Sequence, residues 1–172
     1  GAPNTDEDVT VPPTTCERTL EWHTGYVRAL VPFQGQLISG SADKEIKFWD
    51  PSTGDCTRTL ETPSGVASFL VFEDKLFVGL RDGKILVYST TTWTLERTLE
   101  GHAVRSLVTC GDALASGSSD NTVKLWSTKT WTCERTLEGH TSYARALVTT
   151  CDNLISCSYD HTVKVWSRTS WT

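Results

Sequence analysis

One cassette is written four times along this chain. Its opening leucine falls at Leu20, Leu60, Leu99 and Leu137, in steps of 40, 39 and 38 residues. An aspartate in a short polar turn recurs at Asp43, Asp82, Asp120 and Asp160, and an aromatic closes each copy at Trp49, Tyr88, Trp126 and Trp166. The cleanest copy is RTLEGHTSYARALVTTCDNLISCSYDHTVKVWS, Arg135 to Ser167. A period near forty residues means a stack of equivalent units, each too thin to bury its own apolar surface.

Each copy reads as four short strands. In the first these are Cys16–Leu20, Val27–Val31, Leu37–Ser41 and Glu45–Trp49, with turns at Gln34-Gly35-Gln36, at Ala42–Lys44 and around Pro51 and Gly54. Runs of about five residues joined by tight polar turns suit a twisted antiparallel sheet. Such a sheet has two apolar faces, and stacking sheets about an axis covers both. The expected class is all-β, with repeats at about 16–55, 56–94, 95–132 and 133–172. Residues 1–15, GAPNTDEDVTVPPTT, are acidic, rich in Pro and Thr and poor in large apolar side chains, and are expected to be a disordered leader. They fit either the start of an excised fragment with a Gly-Ala cloning scar or, less well, a myristoylation pattern.

The Gly-His pair, the turn aspartate and the closing Trp resemble the WD40-repeat family over everything after about residue 15. The resemblance implies a β-propeller of four four-stranded antiparallel blades per chain. It also implies that the strand opening each repeat is the outermost strand of the preceding blade, so the fourth blade lacks its outer strand. Trp171-Thr172 followed by Cys16–Leu20 spells Trp-Thr-Cys-Glu-Arg-Thr-Leu, which already occurs as Trp131 to Leu137. The ends are therefore matched. Two copies would give an eight-bladed ring, a homodimer in which each N-terminal strand completes the last blade of its partner and no sheet edge stays open. A four-bladed ring within one chain and a fragment of a longer array remain alternatives.

The resemblance also implies a buried hydrogen-bond chain from Trp through Ser and His to Asp. The matching sets are His23, Ser39, Asp43 and Trp49; His102, Ser116, Asp120 and Trp126; and His140, Ser156, Asp160 and Trp166. In the first set Ser41, on the same face as Ser39, is an alternative. The second repeat departs, with Pro63, Val78 and Tyr88 in place of His, Ser and Trp. Apolar packing by Phe69, Val71, Phe72, Leu76 and Phe77 is expected to hold it. Three copies of a His–Ser–Asp set, each tied to a Trp, argue against a catalytic triad, and no enzyme activity is expected.

Function is expected on what varies beside that framework. By resemblance, the channel mouth is lined by the residue beginning each innermost strand (Arg28, Ser68, Arg105, Arg145) and by the residue before each turn aspartate (Ala42, Arg81, Ser119, Tyr159), with Tyr26 and Tyr143 close by. Arginine forks beside flat aromatic rings suit carboxylate or phosphate oxygens. The expected role is a non-catalytic interaction scaffold that binds an acidic or phosphorylated peptide or partner protein. The alternative is a structural or assembly module with no specific ligand. Trp93, Trp131 and Trp171 recur at the outer turn and are expected to pack on their own outer strands.

Net charge is −5, of which Asp6, Glu7 and Asp8 supply three, so the repeats have no basic excess for nucleic acid. No apolar run reaches membrane-spanning length. Cys16, Cys56 and Cys133 sit at equivalent places on different repeats, Leu95 replaces the fourth, and no CxxC pair occurs. Neither disulfides, zinc nor any other cofactor is expected, and reduced thiols point to the cytoplasm.

Overall fold

A computed structural model describes residues 15–169. Strands are the only regular elements described, and no helix there is long and apolar enough to cross a membrane. The leader and Trp171 lie almost wholly or wholly outside the described residues.

Fifteen strands make four antiparallel sheets, the blades. Blade 1 is β1 (Val27–Phe33), β2 (Gln36–Ser41), β3 (Glu45–Trp49) and β4 (Cys56–Glu61). Blade 2 is β5 (Val66–Phe72), β6 (Lys75–Leu80), β7 (Lys84–Ser89) and β8 (Leu95–Glu100). Blade 3 is β9 (Val104–Cys110), β10 (Ala113–Ser118), β11 (Val123–Ser127) and β12 (Cys133–Leu137). Blade 4 has only β13 (Ala144–Thr149), β14 (Asn153–Ser158) and β15 (Val163–Ser167). The outer strands β4, β8 and β12 begin the repeat that follows, so blade and repeat are offset by one strand, and among the described residues the fourth sheet has three strands, not four.

The expected strand at Cys16–Leu20 does not form. Its analogues pair with β3, β7 and β11, but the outer edge of β3 is already taken by β4.

Blades stack face to face. Innermost strand β1 packs on β5, β5 on β9 and β9 on β13. One apolar cluster fills the first seam, around Ile38, Ile46 and Phe48 of blade 1 and Val66, Val78 and Leu80 of blade 2. Another fills the second, with Phe77, Ile85 and Val87 against Val104, Leu107 and Trp126. The third holds Ala115, Val123 and Leu125 against Leu147, Leu154 and Trp166. Two seams are also stitched by a strand-to-strand bond, Leu107 N–H to Ser68 Oγ at 3.1 Å and Leu147 N–H to Ser106 Oγ at 3.2 Å. The outer-turn tryptophans pack differently from expectation. Trp93 of blade 2 meets Phe33 and Phe48 of blade 1 edge-on at 5.5 and 4.6 Å, and Trp131 stacks on Phe77 of blade 2 at 6.0 Å. They lock neighbouring blades because their backbones turn through positive φ, 58° and 64°, as Gly54 does at 86°.

Candidate functional site: the arginine mouth

The mouth is held in place by the polar chain behind it. In blade 1 the Trp49 indole N–H donates to Ser39 Oγ at 2.7 Å. An indole can only donate, which sends the Ser39 proton to His23 Nε2 (2.7 Å) and the His23 Nδ1 proton to Asp43 (2.8 Å). Ser39 makes this bond; Ser41 Oγ instead accepts the Asp43 N–H. Blade 4 repeats the chain through Trp166, Ser156, His140 and Asp160 at 2.9, 2.7 and 2.7 Å. Burial raises the Asp43 pKa, but the His23 bond and the N–H groups of Thr24 and Glu45 outweigh it and hold the carboxylate below its ordinary value. His23, Asp43 and Glu45 lie close enough together to suit a metal ion. However, both His23 nitrogens are already bonded and Glu45 pairs with Lys47 at 2.8 Å.

Blade 3 keeps Trp126 on Ser116 (2.8 Å) and Ser116 on His102 (2.6 Å), but its loop is two residues shorter between His and β9. Asp120 is left 44% exposed, 3.3 Å from His102 Nδ1, and Thr122 Oγ1 comes nearer, at 3.1 Å. Burial pushes the His102 pKa down to about 4. Blade 2 has no such chain. Val78 is fully buried at the serine position, and Pro63 is exposed. Thr62 turns inward instead, its hydroxyl 3.0 and 2.8 Å from the carbonyls of Lys44 and Ser64.

Four innermost-strand positions face the axis, and each is the extra residue of a β-bulge. Register skips Arg28 in β1, Ala67 in β5, Arg105 in β9 and Arg145 in β13. A bulge leaves one residue unpaired and turns its side chain out of the pleat. Alignment by sequence places Ser68 in this set, but the bulge assigns blade 2's place to Ala67, while Ser68 stitches the seam. Arg28, Arg105 and Arg145 line one cavity of about 480 Å³ with Tyr26, Val27 and Ala67.

The tyrosines sort the arginines. Arg28 lies over its own Tyr26 at 5.4 Å, and Arg105 lies over Tyr143 of the next blade at 5.2 Å. Tyr159 leans on Tyr143 at 5.9 Å and its hydroxyl accepts from Arg145 Nε at 3.3 Å. Arg81 is exposed on the blade 2 turn, close enough for its charge to act on Arg105. Burial first, then the charges of Arg81, Arg145 and Arg28, press the Arg105 pKa below the usual guanidinium value, with Tyr143 opposing. A guanidinium does not give up its proton in this range, so the pressure is mutual repulsion. Among the described residues the close ion pairs use only lysine and histidine. Among these residues no arginine has a carboxylate partner within ion-pair distance, and Arg105 Nε is buried with no acceptor among them.

A four-blade frame with an arginine mouth and a Trp–Ser–His chain in three blades, closed by Asp in blades 1 and 4, defines a repeat-built, propeller-like protein. The chain belongs to the WD40 repeat family: the family model described as WD domain, G-beta repeat, matches residues 14–50, 93–127 and 131–167. The unmatched stretch between the first two segments contains blade 2's altered framework. The anaphase-promoting complex subunit cdc20 of Dictyostelium discoideum is 34% identical over 104 residues, 55% of this chain and 21% of that protein. Mitochondrial division protein 1 of Chaetomium globosum is 30% identical over 119 residues, 54% of this chain and 18% of that one. The chain thus spans about a fifth of the length of these curated relatives. The crystal structure of the computationally designed Ika4 protein is 32% identical with a TM-score of 0.76, covering 87% of this chain and 95% of that one. U3-55K superposes with a TM-score of 0.81 over 90% of this chain and 53% of its own at 24% identity, which speaks to fold alone.

Proposed function

We propose that this protein is a non-catalytic interaction scaffold whose axial mouth binds an acidic or phosphorylated segment of a partner protein. The carrying observation is the uncompensated charge at Arg28, Arg105 and Arg145, with Arg105 Nε buried and unbonded. Burying a donor without an acceptor costs about 1–3 kcal/mol, and an anion's oxygen removes that cost. The Dictyostelium relative is by name a subunit of a multiprotein complex, which supports a scaffold role. Six free cysteines fit a reducing compartment such as the cytoplasm.

Binding of a fluorescent hexaglutamate peptide and of a phosphoserine peptide, read by anisotropy at low and moderate salt, tests the mouth. Charge reversal at Arg28→Glu, Arg105→Glu and Arg145→Glu together is expected to weaken binding by at least about tenfold. Affinity unchanged by the triple variant would remove the reading and favour a structural module without a ligand.

We further infer that a second copy completes the ring, giving eight blades with exchanged N-terminal strands. Cys16 supports this. Its thiol lies 3.2 Å from the Arg18 carbonyl and 3.9 Å from Thr19 Oγ1. Cys56 and Cys133 make the same pair of contacts, at 3.4 and 3.6 Å and at 3.3 and 4.0 Å, inside paired strands β4 and β12. Cys16–Thr19 therefore has the local shape of an outer strand before it has a sheet to join. Light scattering is expected to give twice the chain mass, and a folded monomer at all concentrations overturns the ring.

A further inference from the structure

The two free ends of the blade stack match each other residue by residue. In blade 1, the rows Ala29–Gly40–Ile46 and Val31–Ile38–Phe48 face blade 2. In blade 4 the same rows are Ala146–Cys157–Val163 and Val148–Ile155–Val165. Among the described residues nothing covers them: Val148, Val163 and Val165 are 57%, 65% and 58% exposed. The opposite end is the complement. Val27 and Leu30 of β1 are 49% and 62% exposed, whereas their counterparts Val104 with Leu107 and Ala144 with Leu147 fill the second and third seams. An apolar face of this pattern is covered by the innermost strand of a following blade in three seams out of three, and Val27–Phe33 of a second copy is such a strand.

The rim carries the same relation. Arg105 of blade 3 stacks on Tyr143, which leads into blade 4. Tyr26 holds that place in blade 1, for the carbonyls of Tyr26 and Tyr143 accept the equivalent N–H groups of Ala42 and Tyr159, at 2.9 and 3.3 Å. Arg145 is the counterpart of Arg105, and among the described residues no blade follows it. We propose that Tyr26 of a second copy stacks on Arg145, so that the anion site at each seam between copies is built from both chains. Stacking covers the guanidinium's flat face and leaves its N–H edge directed at anion oxygens. The proposal rests on the mouth and ring readings above and adds which copy supplies the tyrosine.

One position makes this seam unlike the others. A Cβ on Gly40 would stand 2.6 Å from Phe69 Cζ, one on Gly79 2.9 Å from Val104 Cβ, and one on Gly117 2.9 Å from the Ala144 carbonyl oxygen. Blade 4 has Cys157 there, and the incoming residue is Val27. The thiol holds the seam between copies wider than the inner three, and overpacking weakens it. Cys157→Gly, which leaves every arginine side chain in place, tightens it.

Mixing two defective copies tests the proposal. Arg145→Ala and Tyr26→Ala are each expected to weaken binding of the hexaglutamate peptide by about three- to tenfold, while Tyr26→Phe, which keeps the ring, binds as the unaltered chain does. Co-refolded at equal amounts, the two alanine variants form mixed dimers with one intact seam. Random pairing then restores the tight component at about a quarter of the seams. Cys157→Gly is expected to lower the concentration at which both dimer and tight binding appear. Absence of rescue in a mixture that light scattering shows to be dimeric overturns the composite site, because Tyr26 then acts only on its own Arg28. That result leaves the mouth reading standing. A wild-type dimer that binds neither peptide removes the mouth reading itself, and a wild type that stays monomeric removes the ring, and the composite site falls with either.

Discussion

Blades 2 and 3 are neighbours built to one plan, yet what lies behind their mouths is opposite in kind. Blade 3 buries an indole N–H, a hydroxyl and an imidazole in one continuous chain, with the stem of Lys124 paired across from Ser116. Blade 2 replaces the whole set. Val78 stands for the serine, Tyr88 for the tryptophan, and Leu86, 3% exposed, for the lysine. A buried polar chain is tolerable only when every member is bonded, and removing all of it together leaves nothing unsatisfied. The two blades are alternative solutions to one packing problem, and intermediates between them should be worse than either.

Ser116→Ala makes such an intermediate. It leaves Trp126 Nε1–H and His102 Nε2 buried without partners, at an expected cost of about 4 kcal/mol in urea denaturation. Val78→Ser buries a hydroxyl among apolar neighbours and is expected to cost about 2 kcal/mol. A cost below about 1 kcal/mol for Ser116→Ala would mean that packing alone holds both blades. Acid separates the blades next. The unfolded chain takes up a proton on His102 near pH 6.5 and the folded chain only near 4. The stability this histidine confers by staying neutral is complete above pH 6.5 and drains away as pH falls towards 4, by up to about 3 kcal/mol. Hydrogen exchange between pH 7 and 4 is expected to show β10 and β11 losing protection before β6 and β7, since blade 2 has no histidine to charge.

The contrast also marks how far the residues alone could be read. Period and strand order were legible because Leu, Asp and Trp recur at fixed places, and a repeat imposes the same local structure on each copy; the one-strand offset was legible only through the resemblance to WD40 repeats. The Gly-His marker has a packing cause: a Cβ on Gly101 would stand 2.7 Å from Trp126 Cζ2. Three things were not legible. Ser68 looked like the rim residue because a bulge adds a residue without a sequence mark, and only the register reveals Ala67. Trp93 and Trp131 pack on the preceding blade because positive φ reverses their direction. Cys16–Leu20 has strand composition but no edge to pair with, and pairing is a property of two chain segments. The lysine-to-leucine exchange at Leu86 was present in the sequence and signals the apolar blade as clearly as Val78 does.

The turn aspartates grade the difference most finely. Asp43 accepts from His23 Nδ1 at 2.8 Å and from the N–H groups of Thr24 and Glu45 at 2.9 and 3.0 Å, with its side chain 6% exposed. Asp120 stands 44% exposed, with Thr122 between it and full contact with His102. Asp82 has no imidazole to meet; it accepts the Lys84 N–H at 3.2 Å and lies 3.9 Å from Nζ of the same lysine. Alanine at the three positions should therefore cost about 2, about 1 and under about 0.5 kcal/mol in that order, because a bond to a buried imidazole leaves an orphan and an exposed ion pair does not. Thermal denaturation of the three variants checks the ranking. If Asp82→Ala proved as costly as Asp43→Ala, the aspartate would be serving the turn itself, which every blade has, and not the chain behind the mouth, which blade 2 has given up.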